Sequence, residues 1–108
     1  MSYRFYAACP IDEVPDGSKR RVVVEGYEVC IFNVGGTLYA SGDPCPHERV
    51  SLGDGGSLDG ETLTCGAHRW QFNVRTGACL DDPGFQLRTH PVGRKDGTIY
   101  VGFRDEED

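Results

Sequence analysis

Short runs of β-branched and aromatic residues alternate with turn-forming residues from one end of this chain to the other. Arg21-Val22-Val23-Val24 and Tyr27-Glu28-Val29-Cys30-Ile31-Phe32-Asn33 read as strands joined at Glu25-Gly26, and Gly35-Gly36 marks a tight hairpin into Thr37-Leu38-Tyr39-Ala40. Further on, Asp59-Gly60 separates Gly56-Ser57-Leu58 from Thr62-Leu63-Thr64-Cys65. Asp96-Gly97 likewise separates Pro91-Val92-Gly93 from Thr98-Ile99-Tyr100-Val101. Each Asp-Gly pair predicts a hairpin whose two central residues have positive φ. One helical turn is expected at Pro10-Ile11-Asp12-Glu13-Val14, because Pro15 disfavours helix in the residue before it. The pattern predicts one antiparallel β domain, into which a Gly/Pro-rich segment, roughly residues 42–85, is inserted as a metal-binding lobe.

Length and composition sharpen this picture. With 108 residues, the chain has room for a single domain and a modest core, and 15 Gly with 6 Pro favour turns over long helices. No apolar run is long enough to span a bilayer, and the start, Met1-Ser2-Tyr3-Arg4-Phe5-Tyr6, lacks the apolar stretch of a secretory signal. A soluble, cytoplasmic protein with no membrane association is expected. The net charge of −6, with Asp105-Glu106-Glu107-Asp108 at the tail, excludes the basic footprint that nucleic acid requires and suits a partner with a positive docking face. Five cysteines in an unexported chain point to metal ligands and buried thiols rather than a disulfide framework.

The chemistry gathers in the lobe, as Cys45-Pro46-His47 and Cys65-Gly66-Ala67-His68. Two short loops, each offering one thiolate and one imidazole, suit a binuclear iron–sulfur cluster with both sulfurs on one iron and both nitrogens on the other. A tetrahedral zinc site draws on the same residue types, but zinc fingers normally pair Cys with Cys and His with His. Pro46 stiffens the first loop and Gly66 lets the second turn sharply.

Beyond the ligands, Cys45-Pro46-His47-Glu48, Leu52-Gly53-Asp54-Gly55, Gly56-x-Leu58-Asp59-Gly60 and Cys65-x-Ala67-His68-x-Trp70-x-Phe72-Asn73-x-x-Thr76-Gly77 together resemble the Rieske ferredoxins of multicomponent bacterial oxygenases. The similarity runs over nearly the whole chain. The Ala67-His68-x-Trp70-x-Phe72 variant is most similar to ferredoxins that serve soluble di-iron monooxygenases, and ring-hydroxylating dioxygenase systems use close relatives. The resemblance implies an all-β Rieske fold, an antiparallel β-sandwich with a small cluster-binding lobe. It also implies one [2Fe–2S] cluster per chain, held by Cys45, His47, Cys65 and His68. The implied role is a monomeric shuttle that carries single electrons from an NAD(P)H flavoprotein reductase to a terminal oxygenase, with transient contacts to both. A small Rieske-like subunit of a nitrite reductase is the alternative.

Departures from respiratory Rieske proteins set the expected potential. Those proteins carry an extra, disulfide-forming cysteine in each cluster loop where this chain has Val50 and Ala67. They also place hydroxyl donors where it has Trp70 and Phe72. Hydrogen bonds to sulfur stabilise the reduced cluster, so their loss predicts a midpoint on the order of −150 mV. Two ferric ions, two sulfides and two thiolates sum to zero charge with neutral imidazoles, which eases addition of an electron. Loss of a proton from either ligand imidazole would lower the midpoint as pH rises.

Trp70 either lines a docking face or covers the lobe. Asp82-Pro83-Gly84-Phe85 resembles the third loop that shields the cluster in this family, Cys30 reads as a small core residue, and Cys9 and Cys79 have no assigned partner. His90 is the only histidine left once the ligands are used, whereas a mononuclear iron oxygenase site needs two histidines and a carboxylate. The chain is therefore read as a carrier of electrons and not an enzyme.

Overall fold

The computed structural model describes residues 3–43, 55–65, 69–82 and 84–104. Ten strands lie within these residues: β1 (Tyr3–Pro10), β2 (Lys19–Val24), β3 (Tyr27–Val34), β4 (Thr37–Gly42), β5 (Ser57–Asp59), β6 (Thr62–Thr64), β7 (Gln71–Asn73), β8 (Thr89–His90), β9 (Val92–Lys95) and β10 (Thr98–Arg104). They form three antiparallel sheets, ordered β1-β10-β9, β2-β3-β4-β8 and β5-β6-β7. The first two sheets make the sandwich, and the third is the inserted lobe between β4 and β8. The neck of the insertion is closed where the Gly42 N–H donates to the Arg88 carbonyl at 2.9 Å. The lobe thus reaches a little past the predicted boundary at 85, because Leu87 packs into its core.

Strand β3 explains how the layers stack. Its residues Val29 to Asn33 are all buried, as a strand covered on both faces requires. Cys30 and Phe32 point into a core shared with Leu63, Cys65, Phe72, Val74, Cys79 and Leu87 of the lobe segment. Val29 and Ile31 point the other way, into a core with Cys9, Val14, Ala40, Ile99 and Val101. The central sheet is therefore filled from both sides, and the lobe is anchored by apolar burial.

The turns follow the expected chemistry with one shift. Glu25-Gly26 (φ 51° and 85°), Gly35-Gly36 (62° and 94°) and Asp96-Gly97 (53° and 80°) each place two residues in the left-handed region, as a type I′ hairpin demands. In the lobe, Asp59 pairs directly with Thr62, so the two-residue loop is Gly60-Glu61 rather than Asp59-Gly60. Only Gly60 has positive φ there, at 60°, which matches the II′ turn with glycine at its first central position. The helical turn is a 3-10 turn over Ile11–Glu13, ending at Val14 before Pro15. Buried Asn33 holds this turn against the sheet, its side-chain amide donating to the Val14 carbonyl at 2.8 Å.

Two strand assignments depend on partners far away in sequence. Tyr3–Pro10 carries no hairpin signal and becomes a strand by pairing with β10, Tyr3 opposite Arg104 through Pro10 opposite Thr98. Thr89–His90 is a two-residue strand only because it completes the edge beside β4.

Candidate functional site

Strands β6 and β7 form a hairpin with Thr64 opposite Gln71, so Cys65 and Trp70 are the next facing pair. The Cys65 N–H donates to the Trp70 carbonyl at 2.7 Å, and the Arg69 N–H donates to the Cys65 carbonyl at 2.9 Å. These two bonds tie Cys65 to Trp70 and to Arg69 across the end of the strand pair. Cys65 is fully buried there, on the apolar core beneath the lobe. Of the four predicted ligands, this is the one the described residues place. Cys45, His47 and His68 lie outside the described residues, as do Glu48, Val50, Leu52, Ala67 and Pro83.

What is described fits a cluster seat. A cysteine held at a strand end by backbone bonds on both sides presents its sulfur at a fixed point, and the apolar surroundings keep water from it. Trp70 and Phe85 pack edge to face above this core, with ring centroids 5.0 Å apart and planes at 72°. Trp70 is half-buried, so it covers the lobe and still presents part of its ring at the surface. The third loop is shaped by Asp82, whose carboxylate accepts from the Gly84 N–H at 2.8 Å and whose carbonyl accepts from the Phe85 N–H at 3.1 Å. That turn is what sets Phe85 against Trp70.

Other anchors carry no sequence signal. Asp43, two residues before Cys45, is fully buried, with its Oδ2 3.4 Å from Arg21 Nε. Its N–H donates to the Glu28 carbonyl at 3.0 Å, which fixes the start of the first loop to β3. Asp81 accepts from the Gln71 N–H at 2.7 Å, extending the β7 ladder by a side chain. An aspartate in a loop has many uses, and only the fold selects these.

The other cysteines and His90 sort out clearly. None of Cys9, Cys30, Cys65 and Cys79 forms a disulfide. Cys30 is a core residue as expected, and Cys79 lies in the same core as Cys65, opposite Phe72. Burial pushes the Cys9 thiol up, Glu13 adds to the rise, and Arg20 opposes it. His90 packs on Phe103, with ring centroids 4.8 Å apart. Burial pulls its pKa down, Arg88 lowers it further, and a hydrogen bond to the Gly102 backbone works in the opposite direction. It borders a cleft of about 260 Å³ with Tyr3, Tyr39, Arg75 and Thr89.

Comparison with known proteins adds the family. The description "Rieske [2Fe-2S] domain" matches residues 4–91. The biphenyl dioxygenase ferredoxin subunit of Pseudomonas sp. (strain KKS102) is 38% identical over 100 residues, covering 92% of each chain. The 3-phenylpropionate/cinnamic acid dioxygenase ferredoxin subunit of Photorhabdus laumondii is 35% identical, over 92% of this chain and 94% of that one. Among solved structures, the complex of reduced oxygenase and oxidized ferredoxin in carbazole 1,9a-dioxygenase aligns with a TM-score of 0.83 at 31% identity, over 96% of this chain and 97% of the matched one. All three belong to dioxygenase systems, so these relatives do not carry the leaning towards a di-iron monooxygenase.

Proposed function

Because the chain belongs to the Rieske [2Fe–2S] domain family, we propose that it is the ferredoxin of a ring-hydroxylating dioxygenase system, moving single electrons from an NAD(P)H-dependent flavoprotein reductase to the terminal oxygenase. The observation that carries this reading is similarity to a ferredoxin subunit over 92% of the chain, joined to a buried cysteine held at the end of the β6–β7 strand pair. Cys45, His47, Cys65 and His68 would hold the cluster through two thiolates and two imidazoles. The cluster, when bound, supplies a one-electron couple. The chain's own residues do the rest. Cys65 is fixed by its two flanking backbone bonds, and Trp70 with Phe85 screens its core from water. His90 takes no part, since its ring is committed to Phe103 and Gly102. Among the described residues no helix is long and apolar enough to cross a membrane.

Purified protein should contain about two irons and two acid-labile sulfides per chain and show a Rieske spectrum. It should also couple NAD(P)H oxidation to oxygenase turnover when mixed with a reductase and a ring-hydroxylating oxygenase. A colourless, zinc-loaded preparation that takes up no cluster would overturn the assignment. Stable co-purification with a large reductase would replace the shuttle with a permanent subunit.

A further inference from the structure

Arg69 stands out on three independent grounds. Its φ is +61°, in the left-handed region where a non-glycine residue is strained. The loop enforces that conformation through the 2.9 Å bond from its N–H to Cys65 and the 2.7 Å bond that pairs Cys65 with Trp70. Glycine would meet the same geometry without cost, yet the position holds a large cation. That cation is exposed, and its guanidinium has no hydrogen-bond or ion-pair partner among the described residues. By contrast Arg20, Arg21 and Arg75 pair with Glu13, Glu28 and Glu61. Its Cα is one peptide unit, about 3.8 Å, from that of His68. A chain of net charge −6 therefore places an exposed cation, without an ion-pair partner among the described residues, next in sequence to a proposed ligand.

We propose that Arg69 is a docking cation that selects the redox partner: the protein that receives electrons here presents a carboxylate to Arg69 within an otherwise basic face. This rests on the electron-carrier reading. The overall negative field draws a basic surface. A uniformly basic surface would then be repelled at the contact beside the cluster, and a carboxylate at that one place removes the repulsion and fixes the orientation. Partners lacking the carboxylate are rejected by the same charge.

The test uses purified holoprotein and two outer-sphere oxidants of opposite charge, hexacyanoferrate(III) and tris(phenanthroline)cobalt(III). Each takes one electron from the reduced protein as its metal passes from the trivalent to the divalent state. Stopped-flow rates are measured at an ionic strength of about 10 mM for wild type, Arg69→Gln, Arg69→Lys and Arg69→Gly. The rate ratio, anionic over cationic oxidant, is expected to fall about threefold or more in Arg69→Gln and Arg69→Gly and to stay near wild type in Arg69→Lys, with visible spectrum and midpoint unchanged. Arg69→Gly is expected to melt at the same temperature as wild type or higher. With spectrum and midpoint intact, a ratio that does not move places electron exit away from Arg69 and overturns the proposal, as does an Arg69→Gly variant that melts well below wild type. A purified protein without the iron–sulfur spectrum would overturn the carrier reading and this inference with it.

Discussion

At Gly77 the backbone takes φ +84°, and an added Cβ would lie 2.5 Å from the Leu87 carbonyl oxygen. That same carbonyl-lined approach carries the 2.7 Å bond from the Leu87 N–H to Gly77, so the segment cannot simply move away. Gly77→Ala should cost at least about 1 kcal/mol, a fall in Tm of roughly 4–8 °C, measured by thermal unfolding of the holoprotein. Trp70→Ala should keep the cluster spectrum but raise the KM of the oxygenase for this protein about tenfold, since a half-buried aromatic that keeps part of its ring at the surface next to Arg69 has the position of an interface anchor. An unchanged KM would leave Trp70 as cover alone. His90 has a folded pKa below its unfolded value, so the unfolded chain binds more protons as pH drops below about 6.5. Its contribution to stability is present above that pH and is lost as pH falls towards the depressed folded value. Arg88 acts in the same direction as burial, disfavouring the charged ring, and a hydrogen bond to the Gly102 backbone opposes both. Comparing urea midpoints of wild type and His90→Gln at pH 5 and pH 7.5 should show a smaller acid loss in the variant.

At the scale of elements, the three-residue strands of the lobe are too short to be stable on their own, and their inner residues do the anchoring. Leu63 and Phe72 face each other across β6 and β7, and both are fully buried against Cys30, Phe32 and Cys65. Phe72→Ala removes the largest of these lobe side chains and should cost about 3–5 kcal/mol. Because the same core seats Cys65, iron content after purification should fall with stability, which iron assay and calorimetry together would show. The hairpins were legible because Gly and Asp at left-handed positions are local signals. The one-residue shift at Asp59 arose because Gly60 alone satisfies a II′ turn, which the Asp-Gly pair does not distinguish from I′. β1 was not legible, since its pairing with β10 joins opposite ends of the chain.

The whole molecule is an acidic sandwich carrying a lobe at one side of its central sheet. Its charge of −6 makes association with a basic partner face faster at low salt, and reductase and oxygenase KM values should both rise with ionic strength. The cluster midpoint should lie near about −150 mV, as expected without hydroxyl donors at Trp70 and Phe72, and protein-film voltammetry would measure it. A value well above zero would mean that other donors reach the sulfurs.

The residues themselves determined the chemistry. Cys-x-His and Cys-x-x-His spacing, the Gly-based turns and the lack of a further histidine pair are all local facts, and they specified a cluster-bearing β protein that passes electrons on. Only the tertiary structure decided that β3 is buried on both faces and that Asp43 is a sealed anchor beside the first loop. It likewise decided that Arg69 is held in a left-handed turn with its charge outward. Burial, ion pairing and enforced dihedrals depend on which distant segments meet, and no run of neighbouring residues encodes that meeting.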